Sequence, residues 1–177
     1  YMDISDYGYG VSLLNDCKYG YNVDNGTMKL SLFKCATYPD PDADKGEHVF
    51  TYSLFPHAGN YRDAGTVQLA YEINNPLKAS LIDKQNGTLP EEYSFVSCDK
   101  DNFIVETVKK AENSDDIIVR GYESYNKGTS VTLNFGFDVK EAILCDLLER
   151  DVEKLTVENN SVSFKAKPFE IITIKVK

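Results

Sequence analysis

The chain has 177 residues, of which 42% are hydrophobic, 12% aromatic and 27% charged, with a formal net charge of −9 at pH 7 and an isoelectric point near 4.7. That balance describes a globular chain able to build a core, and it argues against disorder. The acidic surplus, with no run of Lys and Arg interleaved with aromatics, argues against nucleic acid, and no apolar stretch approaches the ~20 residues of a membrane helix.

The chain opens on Tyr1-Met2-Asp3-Ile4-Ser5-Asp6 and runs almost at once into strand-like sequence at Tyr7-Gly8-Tyr9-Gly10-Val11. Such an abrupt start is the expectation for a piece of a longer protein. Alternation of period two, with β-branched and aromatic enrichment, then predicts strands at 9–14, 18–23, 28–34, 48–55, 93–98, 103–109, 116–125, 129–135, 141–148, 152–157, 161–166 and 169–176. Asp24-Asn25-Gly26 and Glu158-Asn159-Asn160-Ser161 read as hairpin turns, because Asn and Gly tolerate the positive φ of tight primed turns. Between residues 63 and 76 the pattern changes. Val67, Ala70, Tyr71 and Ile73 approximate a helical face, Asp63 or Thr66 is placed to cap it, and Pro76 stops it, which predicts one short helix near 66–74. The polar, turn-rich stretch Asp83 to Glu92 is the best internal boundary, giving regions 1–90 and 91–177. The second contains about eight short strands at sandwich-like spacing. The first has fewer strands, so its sheet edges lack partners, a liability that an absent segment or an oligomer through the edges would relieve.

The four cysteines, Cys17, Cys35, Cys98 and Cys145, form no CxxC pair and lie in apolar or strand-like runs. They read as buried, reduced thiols, and so point to a reducing, cytoplasmic compartment. The Asn-x-Ser/Thr triplets at Asn25, Asn86 and Asn159 occur where Asn is expected for turn geometry.

The loop Tyr38-Pro39-Asp40-Pro41-Asp42-Ala43-Asp44-Lys45-Gly46-Glu47-His48 concentrates carboxylates and one of two histidines on a backbone stiffened by proline. Its Asp-x-Asp-x-Asp spacing resembles the start of a calcium loop, but Gly46 is offset by one and no bidentate Glu follows at the required distance. His48 and His57 have no recognised metal-ligand spacing, so no metal site is expected within the chain. The sequence contains no recognisable Ser-His-Asp arrangement, phosphate loop or dinucleotide fingerprint. By its own chemistry the chain is not a self-sufficient enzyme. Tyr7, Tyr9, Tyr19 and Tyr21, set among Asn15, Asp16 and Lys18, offer flat faces beside short polar groups, which suits either sheet surface or carbohydrate recognition. A free-standing carbohydrate-binding module is therefore the alternative to a supporting domain.

Three stretches read together carry a resemblance: Tyr9 to Tyr21, Thr37 to His48, and Phe50 to His57. They are similar to the C-terminal region of glycoside hydrolase family 38 α-mannosidases, in the branch of bacterial, cytosolic and yeast vacuolar enzymes. Ile118 to Glu123, Cys145 to Arg150 and Lys167 to Ile174 resemble that family's terminal sandwich. The one departure is Gly121, where a bulkier residue is usual.

The resemblance implies an all-β fold, with residues 1–90 the last part of a large super-sandwich and 91–177 a small antiparallel sandwich. It implies that the zinc ligands, nucleophilic Asp and acid/base carboxylate belong to upstream catalytic and helical domains, which would be this region's partners, with mannosides or glycans as substrate. No catalytic residue and no cofactor is expected in these 177 residues. The residues it places at the sugar-pocket rim or against the catalytic domain are Asn15, Asp16, Lys18, Tyr19, Asp40, Asp42, Gly46 and His48.

Overall fold

The computed structural model describes all 177 residues, in two compact units, Tyr1–Leu81 and Ile82–Lys177. Every strand pairing is antiparallel. The chain is all-β apart from one short helix.

In the first unit, β1 (Met2–Asp6), β2 (Tyr9–Asn15) and β5 (Tyr52–Ala58) form a three-stranded sheet in the order β1-β2-β5. The sequence reading lacked β1, a short segment bearing two Asp residues. It becomes a strand because β2 offers it a full ladder from Met2↔Leu13 to Asp6↔Tyr9. β5 starts later than the expected 48–55 and runs through Pro56 and His57. As an edge strand it accommodates Pro56, whose missing N–H costs no ladder bond on the open side. β3 (Gly20–Asp24) and β4 (Thr27–Ser31) make a separate ribbon whose turn residues Asn25 and Gly26 have φ of 46° and 74°. No residue of that ribbon is buried.

Helix α1 (Thr66–Asn74) buries Thr66 and Val67. Neither Asp63 nor Thr66 caps it as expected. The N-cap is Gly65, in the left-handed region at φ 67°, with no side-chain cap, and Asp63 instead accepts hydrogen bonds from Asn60. The helix closes with the Asn75 N–H on Tyr71 O, one residue before Pro76.

The second unit packs a five-stranded sheet, β11-β10-β14-β8-β7, against a four-stranded one, β12-β13-β9-β6. The strands are β6 (Val96–Cys98), β7 (Phe103–Lys110), β8 (Ile117–Glu123), β9 (Thr129–Phe135), β10 (Ala142–Cys145), β11 (Asp151–Leu155), β12 (Val157–Glu158), β13 (Ser161–Ala166) and β14 (Ile171–Val176). The β12–β13 turn carries Asn159 and Asn160 at φ 50° and 59°. Alternate residues point inward, so Val119, Val131, Leu133, Val162, Ile174 and Val176 form one buried core with Phe103 and Phe135. Gly121 sits opposite an irregularity in β7 between Val105 and Thr107. A Cβ on Gly121 would lie 2.5 Å from both Ile104 O and the Phe103 ring, so this chain has no room for the bulkier residue that the family pattern suggests.

Two polar groups are buried at the end of this sandwich. Glu123 is fully buried and accepts four hydrogen bonds: from Asn102 Nδ2 (2.8 Å), Tyr125 N (2.7 Å), Lys127 N (3.1 Å) and Phe169 N (3.0 Å). Burial by itself raises its carboxyl, but these donors outweigh burial and hold it below its ordinary value. Asn102 in turn donates to Thr129 Oγ1 and receives the Ser124 N–H on its carbonyl. The carboxylate thus ties β8 to the turns before β7, β9 and β14.

All four cysteines are free, but they are not all buried. Cys17 and Cys35 are exposed, Cys98 is half-buried and only Cys145 is buried. The first two lie outside strands, in the turn after β2 and the long loop after β4, where no sheet covers them.

Candidate functional site

The expected site residues fall on two segments of the first unit, both at the end of the sheet where β2 leaves and β5 enters. The first is the turn from Asn15 to Tyr21. Asn15 is buried, and its side chain organises the turn: Oδ1 accepts from Cys17 N (3.2 Å) and Lys18 N (2.6 Å), while Nδ2 donates to the Tyr21 hydroxyl. Its carbonyl accepts from Asn74 Nδ2 at the end of α1 (3.2 Å). Asp16 extends the β2–β5 ladder by one step, its N–H donating to Thr51 O (3.2 Å) and its carboxylate accepting from Thr51 N (3.0 Å). That Thr51 bond is the main reason the Asp16 carboxyl lies below its ordinary value, and a hydrogen bond to Asp16 raises the Cys17 thiol. Lys18 lies over the Phe50 ring, 5.1 Å from its centroid. Tyr19 is 87% exposed.

The second segment, 38–48, is a loop between β4 and β5, exposed at almost every residue. Three of its four carboxylates are engaged within or just before the loop. Asp40 accepts from Asp42 N (2.9 Å), Asp42 pairs with Lys45, and Asp44 accepts from Ala36 N (3.3 Å). His48 bonds through Nε2 to Asp44 O (2.8 Å) and stacks on Phe33 with ring centroids 5.2 Å apart. Gly46 provides a φ of 134° that L side chains rarely adopt. The structure therefore orders each segment separately, and no hydrogen bond or ion pair joins Asn15, Asp16, Lys18 or Tyr19 to Asp40, Asp42 or His48. No group of His, Cys, Asp and Glu side chains here could hold a metal ion; the donor sets of this chain do not fit the zinc that the resemblance implies.

Tertiary structure also assembles a cluster that the sequence did not reveal. Asp3 on β1, Ser12 on β2, His57 on β5 and Thr66 on α1 converge beneath the helix. Ser12 Oγ donates to Asp3 Oδ2 (2.7 Å), His57 Nε2 lies 2.7 Å from the same oxygen, and Thr66 Oγ1 is 2.8 Å from Ser12 Oγ. This is the Ser-His-Asp combination whose absence the sequence suggested, but it is wired differently from a hydrolytic triad. Ser12 Oγ and His57 Nε2 converge on one carboxylate oxygen and lie 3.2 Å from each other, so the serine and the carboxylate crowd the same ring nitrogen instead of flanking the ring, and Ser12, His57 and Thr66 are buried. Its chemistry is that of a satisfied polar core. Burial raises the Asp3 carboxyl, whereas the bonds from Ser5, Ser12 and His57 lower it further, so it ends below its ordinary value. Gly10 makes the cluster possible: a Cβ there would stand 2.3 Å from His57 Cε1. The one signal available beforehand was the polar residue Ser12 between apolar neighbours, together with a glycine two positions earlier.

Two family models match the chain. Residues 1–42 match the family described as "Glycosyl hydrolases family 38 C-terminal domain", and residues 102–174 match the "Glycosyl hydrolases family 38 C-terminal beta sandwich domain". The chain is 38% identical to human "Alpha-mannosidase 2C1" over 98% of its own length and 17% of that protein's. It is 36% identical to "Alpha-mannosidase G" of Dictyostelium discoideum, over 99% of the chain and 16% of the relative. It is 33% identical to the "Alpha-mannosidase" of Saccharomyces cerevisiae, over 99% and 18%. The chain therefore spans about a sixth of the length of the curated relatives it matches. A crystal structure of a family 38 glycosyl hydrolase from Enterococcus faecalis superposes with a TM-score of 0.78 at 22% identity, covering 99% of this chain and 22% of that one, which establishes likeness of fold.

Proposed function

Because the chain belongs to the C-terminal region of glycoside hydrolase family 38, we propose that it is the supporting end of an α-mannosidase that removes terminal α-mannosides. The observation that carries this reading is similarity over nearly the entire chain to proteins named α-mannosidases. On this reading the chemical step and the zinc belong to residues outside these 177.

The surface of the first unit supports a role as a partner to other domains of the same protein. The β3–β4 ribbon buries none of its residues, and an isolated two-stranded ribbon is marginal in water. Its apolar face, with Leu30 and then Leu32, borders an open groove shared with Leu13, Tyr52 and Leu54. A catalytic domain resting there would remove that apolar surface from water and hold the 15–21 turn and 38–48 loop at the rim of the sugar pocket. Asp16, Asp42 and His48 are the polar groups presented there. The free thiols support a reducing, cytoplasmic location, which fractionation of cells expressing the tagged protein would test.

The decisive experiment is an α-mannosidase assay with added zinc on the isolated chain and on a full-length protein carrying it as the C-terminal region. Turnover is expected from the full-length protein alone. Turnover by the isolated chain would overthrow the supporting role. Saturable binding of manno-oligosaccharides by the isolated chain would favour a carbohydrate-binding module instead. In the full-length protein, Asp42→Ala and His48→Ala distinguish a sugar contact, which lowers kcat/KM at unchanged stability, from a scaffold, which lowers stability alone.

A further inference from the structure

We infer that Tyr19 is a stacking platform for a glycan ring beyond the mannose being cleaved, and that Asn15 is the residue that positions it; this rests on the α-mannosidase reading above and deepens it. The argument begins from an asymmetry within one turn. The groups around Tyr19 are all engaged: Asn15 through both ends of its amide, Asp16 on Thr51, Lys18 over Phe50 and the Tyr21 hydroxyl on Asn15. Gly20 fixes the exit, because a Cβ there would meet the Ser31 side chain at 2.9 Å. Tyr19 alone makes no hydrogen bond and stands in solvent. The turn is thus tied to β2, β3, β5 and α1, and holds one large aromatic ring outward.

Such a display leaves one face of the ring open to a partner. A tyrosine has only two side-chain torsions to freeze, so on a fixed backbone it offers a flat apolar face at small entropic cost. That face fits the C–H side of a pyranose. Asp16 next to it is held below its ordinary value by bonds from Thr51 and Cys17, so it stands as a carboxylate beside the ring and fixes the turn from which Tyr19 projects. The other highly exposed tyrosines lack these supports. Tyr38 sits on the 38–48 loop, which is bound chiefly to itself. Tyr7 occupies the β1–β2 turn, at the opposite end of β2 and about 20 Å away along the strand, which makes it the natural control.

The test uses the full-length enzyme with two substrates: an α-linked mannotriose, which has rings beyond the cleaved mannose, and α-mannosyl fluoride, which has none. Tyr19→Ala is expected to raise KM for mannotriose about 3- to 10-fold, the size of one aromatic stacking contact, with kcat nearly unchanged and α-mannosyl fluoride turned over normally. Tyr19→Phe keeps the face and should behave as the parent. Asn15→Ala should reproduce the Tyr19→Ala effect, and the double variant should be no worse than either, because Asn15 acts through Tyr19. Asn15→Asp keeps both backbone acceptances and should restore most of the affinity even if the alanine variant folds poorly. Tyr7→Ala should change nothing. An unchanged KM for mannotriose in Tyr19→Ala, an equal loss on α-mannosyl fluoride, or an equal loss in Tyr7→Ala overturns the inference and leaves the α-mannosidase reading standing. Failure of the unmodified enzyme on both substrates overturns that reading and this inference with it.

Discussion

Replacing Glu123 tests how a carboxylate can be buried without a cation. Its two oxygens accept from three backbone N–H groups and one amide, at 2.7–3.1 Å. Glu123→Gln keeps the shape but turns an NH2 toward two of those four donors in either amide orientation. With two buried donors each left facing a donor at about 1–3 kcal/mol, the loss is about 2–6 kcal/mol. For a unit of roughly 100 residues that lowers Tm by about 10–30 °C. Glu123→Ala strands all four donors, and the loss of about 4 kcal/mol or more approaches the whole stability of such a domain. Thermal unfolding by circular dichroism, with hydrogen exchange at Ile118 and Ile174 to assign the transition to the second unit, measures both. The pH dependence supplies a second readout. Because the folded-state pKa is depressed, the stabilisation is fully present above the unfolded carboxylate range near ~4.3 and is lost as pH falls through the folded value. The parent and Glu123→Gln curves should therefore converge as pH falls through the folded-state value. A glutamine variant within about 0.5 kcal/mol of the parent, or a gap that stays constant with falling pH, would refute the account.

Gly121→Ala forces a Cβ to within 2.5 Å of Ile104 O and the Phe103 ring, so unfolding midpoints should drop by the equivalent of about 1–3 kcal/mol, and an unchanged midpoint would show that the strand yields freely. Asp3→Ala strands the Ser12 and His57 protons and should cost the first unit about 2–4 kcal/mol at pH 7, shrinking as pH falls below ~3.9; protease resistance of residues 1–81 reports it. Gly10→Ala, by displacing the His57 ring, should reproduce that loss without touching a polar group. Asn159→Val places a β-branched residue at φ 50° and should cost about 1–2 kcal/mol in the second unit, whereas Asn159→Gly should be nearly neutral.

Features written within a few neighbouring residues were legible in the sequence. Alternation announced nearly all the strands, Asn25-Gly26 and Asn159-Asn160 announced their hairpins, and apolar spacing with Pro76 announced the helix over 66–74. The motifs from Tyr9 to His57 were enough to indicate the family, and they named the turn at Asn15–Tyr19 as a place to look. Composition could not show that Cys17 and Cys35 lie in the open, since exposure depends on what covers a loop.

Tertiary structure alone decided which distant residues meet. Asp3, Ser12, His57 and Thr66 lie on four elements and converge only because β1, β2 and β5 pair in one register, Asp3 opposite Ser12 and Ser12 opposite Phe55, under a helix whose first residue faces them. Glu123 found two of its four donors in the same way, Asn102 and Phe169, which lie 21 and 46 residues away along the chain. Sheet register and packing set those contacts, and a slip of one residue would send each of these side chains to the opposite face. Strand pattern is a property of neighbours in sequence, whereas a buried polar cluster is a property of neighbours in space.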